Sequence, residues 1–119
     1  MFIDLEQLLE WNPEIIIIDG NGYNILINHY ATNSHFYSHL DAFKNHQVFM
    51  QMPFNFYSTN FEIALANAYF IGKSVYPEAF SDVNIEEKTN DISMFLLGVD
   101  ISSYLQNDYY GGYQTIIFD

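Results

Sequence analysis

Three groups of residues in this 119-residue chain have types and spacings that suit chemistry. The first is Asp19-Gly20-Asn21-Gly22-Tyr23, where two glycines permit close approach to the backbone and Asn21 and Tyr23 bring an amide and a phenol. The same residues would also make an ordinary strand-to-helix turn, which Asp-Gly and Asn-Gly pairs supply anyway. The alternation Asp19, Asn21, Tyr23 lacks the distal glutamate of a calcium loop, with Tyr30 in its place, so calcium is rejected. The second group is Asn55-Phe56-Tyr57-Ser58-Thr59-Asn60, set just before a strong helical pattern. Backbone N–H groups at a helix start, and the positive end of its dipole, suit a carboxylate, phosphate or other oxyanion. Phe56 and Tyr57 could stack on a chelate or macrocycle, with Asn55, Thr59 and Asn60 beside them; the plain alternative is a capped helix with an aromatic anchor. The third group is His29, His35 and His39. His35 and His39 have i, i+4 spacing, so one helical face could offer both imidazoles to Zn²⁺ or Cu²⁺, with His29 or Asp41 as a third ligand. The alternative is a set of exposed polar side chains in a loop.

Catalysis finds little in the sequence. There is no nucleophile elbow, P-loop, cysteine or arginine, and no cofactor motif. Ser34 beside His35 and Ser38 beside His39 are chain neighbours and not a triad pattern. Glu86-Glu87 falls at a helix start, where carboxylates complement the dipole. The expectation is a protein that is not an enzyme.

The elements that must position these residues read as α/β. Asp4 is a good N-cap with Gln7 at capping-box spacing, and Ile3 and Leu8 could form a hydrophobic staple. Asn12-Pro13 ends this short helix, because the residue before proline leaves the helical region. Ile15 to Ile18 are four consecutive isoleucines, which predicts a strand buried on both faces of a parallel sheet. Ligands in open parallel sheets lie beyond the carboxyl ends of the strands, which directs attention to residues 19–23. A helix begins near Tyr23 and runs to about Tyr30, followed by a polar, aromatic connection over 31–39. Gln47 to Met52 is a second strand, closed by Pro53, and the loop to Thr59 leads into a helix over 60–75. Thr59 and Glu62 have capping-box spacing there, and the helix is apolar almost all round, which predicts heavy burial. A helix over 84–97, capped by Asn84 with Glu87, should turn Ile85, Thr89, Ile92, Leu96 and Val99 inward. A short helix over 100–108, a break at Gly111-Gly112 and a small strand within 115–118 complete the chain. The fold class is an incomplete Rossmann-like lobe: a small parallel sheet of two or three strands flanked by about four helices.

Composition narrows the partners. Fifteen acidic residues face 3 lysines and no arginine, for a net charge of −12. Nucleic acid, which needs a basic surface, and an anionic membrane surface are both disfavoured. No apolar run approaches the roughly 20 residues that span a bilayer. With no cysteine, disulfides and thiolate metal sites are excluded together.

Several segments carry a resemblance to a known family. Glu6-Gln7-Leu8-Leu9-Glu10-Trp11-Asn12-Pro13-Glu14 with the isoleucines after it, Leu40 to Phe49 around Ala42-Phe43-Lys44, and Glu62 to Phe80 with Gly72-Lys73 and Tyr76-Pro77-Glu78 appear in a familiar order. Phe95-Leu96-Leu97-Gly98 and Asp108-Tyr109 to Gly112 follow. Together they resemble the C-terminal lobe of substrate-binding proteins of iron–siderophore, haem and cobalamin ABC importers. The resemblance implies a single domain, 1–119, that begins inside the second of two lobes. It also implies a metal chelate or oxyanion ligand, held in a cleft lined by the 55–60 loop, and a missing N-terminal lobe and an ABC permease as partners. It places the protein outside the cytoplasm or at the cell surface, although the start of the chain is unlike a signal peptide. Such proteins dock on permease arginines through glutamates; here an aromatic falls near that position, and Glu62 close by is a weak substitute. If upstream strands are missing, the Ile15–Ile18 strand should present a bare apolar edge and favour a homodimer. Two other readings stay open: a degenerate structural or oligomerisation module without solute binding, and a small histidine-based metal-binding protein.

Overall fold

The computed structural model of the chain describes residues 4–56 and 58–118. Helix α1, Leu5–Trp11, starts at Asp4, whose side chain caps it by accepting from the Glu6 N–H rather than through Gln7. Ile3, half of the expected staple, lies outside the described residues. The helix stops at Asn12, which turns left-handed (φ 37°) as the Asn-Pro pair predicts. Asn12 then ties two distant segments together. Its amide donates to Asp41 Oδ2 and its side-chain carbonyl accepts from the Asp41 N–H, both at 2.9 Å, at the start of α3, Asp41–Lys44. The Lys44 ammonium, bonded to Asp41 at 3.0 Å, holds that carboxyl below the ordinary range, with help from Asn12.

The sheet has strand order β1-β2-β5. β1, Ile16–Asp19, pairs in parallel with β2, Val48–Gln51, and β5, Gln114–Thr115, runs antiparallel on the other side of β2. The α/β layout is therefore as expected, with a mixed rather than purely parallel sheet and six helices among the described residues rather than about four. The central strand holds the core: Val48 and Met50 are fully buried, with Leu40, Phe43, Met52, Leu105 and Ile116 around them. The isoleucines differ from expectation. Ile16 to Ile18 are only half-buried, because β1 is an edge strand among the described residues and has one neighbour, not two.

Helix α2, Tyr23–Tyr37, continues well past Tyr30 into the segment read as a connection. Aromatic packing extends it: Tyr30, Tyr37, Phe43 and Phe118 form a cluster with ring centroids 4.4 to 6.1 Å apart. The polar residues leave their mark as an interruption at Asn33 (φ −130°), where Asn33 Nδ2 and Thr32 Oγ1 both donate to the His29 carbonyl.

The 53–59 loop is a small hairpin, β3 (Asn55–Phe56) against β4 (Ser58–Thr59), followed by α4, Phe61–Val75. The heavy burial expected of α4 is not found. Ala66, Asn67 and Phe70 are buried, but Phe61 (69% exposed), Leu65 (48%) and Tyr69 (36%) form an open stripe. Sheet and α5 cover one side of α4, and among the described residues no third layer covers the other. Helix α5, Ile85–Leu97, is capped by Asn84 accepting from the Glu87 N–H, as expected. Its inward face follows Ile85, Thr89 and Ile92 but then turns to buried Ser93, leaving Leu96 and Val99 exposed. The chain bends there: Ser93 Oγ accepts from the Ile101 N–H (3.4 Å), and α6, Ser102–Asp108, follows. Gly111 and Gly112, at φ +101° and +83°, make the break before β5. No helix among the described residues is long and apolar enough to cross a membrane.

Candidate functional site

Because β1 and β2 run the same way, with Asp19 opposite Gln51, the turns that leave them emerge side by side. After β1 the chain makes one 3-10 turn, Gly20–Gly22, capped by the Asp19 carboxylate accepting from the Asn21 N–H at 3.0 Å. Gly20 is where the turns meet. A Cβ there would stand 3.3 Å from Pro53 Cδ and 3.4 Å from the Gln51 carbonyl oxygen, so its smallness serves the close approach of the two turns. Asn21 is exposed at this edge. Tyr23 is committed to the chain: its ring stacks on Tyr110 at 4.4 Å, and Tyr110 accepts from Asn24 Nδ2 through its hydroxyl. Tyr110, in the left-handed conformation (φ 54°) at the end of α6, thus walls one side of the turn. Sequence reasoning did not assign it a place; its motif, Tyr109 to Gly112, was the signal available.

After β2, the Asn60 N–H donates to the Phe54 carbonyl (2.7 Å) and closes the hairpin. The expected Thr59–Glu62 capping box is not formed, because Thr59 belongs to β4 and its hydroxyl donates to Asn55 Oδ1 (3.4 Å). Asn60 is the N-cap, and α4 opens without a side-chain capping bond. Glu62 is half-buried in the first turn. Tyr57 lies outside the described residues, and Phe56 is placed by its backbone alone.

A buried amide fixes where this hairpin departs. Asn67 of α4 accepts from the Met52 N–H (3.1 Å) and donates to the Met52 carbonyl (2.7 Å), so its side chain pairs with the peptide as a neighbouring strand would. Tyr113 donates to the same Asn67 oxygen at 2.7 Å, and burial pushes its phenol well above the ordinary range. The structure therefore brings the 19–23 turn and the 53–60 hairpin to one edge, with Asn21, Asn55, Thr59 and Asn60 on them.

The histidines do not gather as a three-ligand set. His35 and His39 do come together, with ring centroids 4.7 Å apart and His39 Nδ1 2.8 Å from the His35 carbonyl. His29 points elsewhere: its Nδ1 lies 2.7 Å from the hydroxyl of buried Tyr37. That ring nitrogen is therefore engaged with Tyr37, in whichever tautomer the imidazole holds. Among the described residues no group of three or more histidines, aspartates or glutamates is placed to hold a metal ion.

A separate cavity of about 420 Å³ lies on the α4 side of the sheet, between Phe49 and Thr115 of the strands and helices α4, α5 and α6. None of the residues singled out in the sequence as ligand contacts or metal ligands lines it.

No family model matches the chain. Over 92 residues, 75% of the chain, it is 26% identical to the molybdate-binding protein MolA of Haemophilus influenzae. The chain spans about a quarter of the length of this curated relative. The likeness marks a distant relationship to a binding protein.

Proposed function

We propose, from that distant relationship, that this chain is a solute-binding half-lobe whose ligand is a small oxyanion. The observation that carries the reading is the placement of the 19–23 turn and the 53–60 hairpin side by side at the carboxyl ends of parallel strands, the usual ligand position in such sheets. The start of α4 adds backbone donors and a favourable dipole, which matters in a chain without arginine. A second lobe would close over this edge and supply the remaining contacts, as in hinge-type capture. Transport of iron complexes through an ABC importer is the finer version of this reading. A chain with no arginine is poorly suited to a highly anionic catecholate chelate, so within that class the oxyanion is favoured. On this reading the protein binds and does not catalyse, and Glu62, in the first turn of α4, competes with an anion more readily than it docks on a permease.

The test is a titration of the protein with sodium molybdate, followed by NMR. We expect saturable shifts at Gly20, Asn21 and the start of α4, with a Kd on the order of 0.1–1 mM for this wall of the cleft tested alone. Asn21→Ala and Asn55→Ala should weaken binding. Glu62→Gln should tighten it by roughly two- to fivefold, since it removes a competing carboxylate from the helix start. Shifts confined to other regions, or none, would refute the proposal.

A second reading is favoured by one observation, the edge of β1 that is unpaired among the described residues, with its apolar side chains. Such an edge invites pairing with another chain. Light scattering should then give roughly twice the 13.9 kDa chain mass, and a mutation to Lys at Ile17 should return it to monomer. A monomer at every concentration would remove the edge-pairing idea and leave solute binding alone.

A further inference from the structure

The cavity between the sheet and helices α4, α5 and α6 has a wall whose hydrogen-bond donors are largely spent on the chain itself. Ser74 Oγ donates to the Phe70 carbonyl (2.8 Å), Thr89 Oγ1 to the Ile85 carbonyl (2.7 Å) and Ser102 Oγ to Asp100 Oδ1 (2.7 Å). Gln114 Nε2 donates to the Tyr110 and Gly112 carbonyls, the Lys73 ammonium to the Val83 carbonyl and the Tyr113 hydroxyl to Asn67. Of the polar wall, the Gln106 amide and the Thr115 hydroxyl keep hydrogen-bonding groups free to turn inward among the described residues. What faces the space is therefore mostly carbon and oxygen lone pairs. The carbon is mostly aromatic: the Phe70 ring stands 6.2 Å from Phe49 and 4.9 Å from Tyr113. An apolar cavity of roughly 150 Å³ accepts one benzene ring, so about 420 Å³ has room for two fused rings.

Glu86 and Ser102 belong to this wall and also to a smaller recess of about 300 Å³, which Asn84, Glu87, Asn90 and Asp100 complete. The recess is rich in acceptors. Asn90 Oδ1 is buried there with no hydrogen-bond partner, a condition that asks for a donor. The Ser102 hydroxyl, and then its N–H, hold the Asp100 carboxyl below the ordinary range and keep it ionised.

We infer that the cavity and the recess form one site for an arylalkylammonium ion, distinct from the edge proposed for the oxyanion. The fused ring lies among Phe49, Phe70 and Tyr113, and the ammonium reaches Glu86 and donates to Asn90 Oδ1. The same features turn anions away: most donors are committed, and the mouth carries Glu86, Glu87 and Asp100.

Three probes with one ring system and different charge test this: tryptamine, indole and indole-3-acetate, titrated into the protein and followed by NMR. Tryptamine should shift the amides of Thr89 and Gly112 saturably, with a Kd about five- to tenfold below that of indole. Indole-3-acetate should bind most weakly. Glu86→Gln should bring tryptamine to the level of indole and leave indole unchanged, while Glu14→Gln, the same charge change on a remote exposed residue, should alter neither. Equal affinity for the three probes, tighter binding of the acid, no shift at the cavity amides, or tryptamine binding unaffected by Glu86→Gln would overturn the inference.

Discussion

Replacing Asn67 with alanine should destabilise the protein by about 3–5 kcal/mol, the largest effect expected of any single polar substitution. Asn67 is 4% exposed, and the Met52 peptide it pairs with belongs to a fully buried residue. Truncation leaves the Met52 N–H, its carbonyl and the Tyr113 hydroxyl without their partner, and each such group costs about 1–3 kcal/mol. Asn67→Asp keeps the shape but sets a carboxylate oxygen against the Met52 carbonyl, so it should be no better than alanine at neutral pH and should recover below about pH 4, where the acid is protonated. Tyr113→Phe removes one of two donors to Asn67 and should cost only about 1 kcal/mol. It also has a pH signature. The Tyr113 pKa is raised in the folded state, so the unfolded chain loses that proton first. The contribution of Tyr113 is complete below about pH 10 and falls away as pH rises above it. Urea denaturation at pH 7 and at pH 11 checks both points: the alkaline loss should shrink in Tyr113→Phe.

Gly72→Ala should also destabilise, by about 1–3 kcal/mol, although the same change inside an exposed helix normally stabilises by nearly 1 kcal/mol. A Cβ at Gly72 would stand 2.5 Å from Phe80 Cζ and 2.8 Å from both Cε atoms of that ring. Phe80 belongs to the turns between α4 and α5, which begin where α4 ends at Val75, so either the half-buried ring turns aside or that connection moves. Pairing Gly72→Ala with Phe80→Leu should recover part of the loss. If thermal denaturation shows Gly72→Ala alone to be stabilising, the contact between ring and helix is looser than the structure has it.

The sequence was most legible where one local rule decides the outcome. Asp4 and Asn84 cap their helices, Asn12-Pro13 stops α1, Gly111-Gly112 breaks the chain, and the isoleucine run runs parallel to its neighbour. It was least legible where burial depends on what lies across the gap. The apolar surround of α4 reads as core, yet Phe61, Leu65 and Tyr69 are open, because periodicity reports what a helix can bury and not what is present to cover it. The continuation of α2 to Tyr37 rests on contacts with Phe43 and Phe118, far along the chain. At the candidate site, the two glycine- and asparagine-bearing turns were found from their place after strands. Tyr110 over Tyr23 and the Asn67 bridge depend on separations of 87 and 15 residues, which no local pattern encodes.

The three lysines have a collective consequence. Lys44 is bonded to Asp41, Lys73 to the Val83 carbonyl, and Lys88 sits 5.0 Å from the centre of the Tyr69 ring. Their three positive charges offset few of the 15 acidic residues, so the long-range field is that of 12 net negative charges. An approaching anion feels this repulsion only within about 10 Å of the surface at moderate ionic strength, and added salt shortens that reach. Oxyanion capture should thus speed up as salt is raised, whereas encounter with an ammonium ion should slow. The two recesses would answer ionic strength in opposite directions, so the medium around the protein would set which of them fills first.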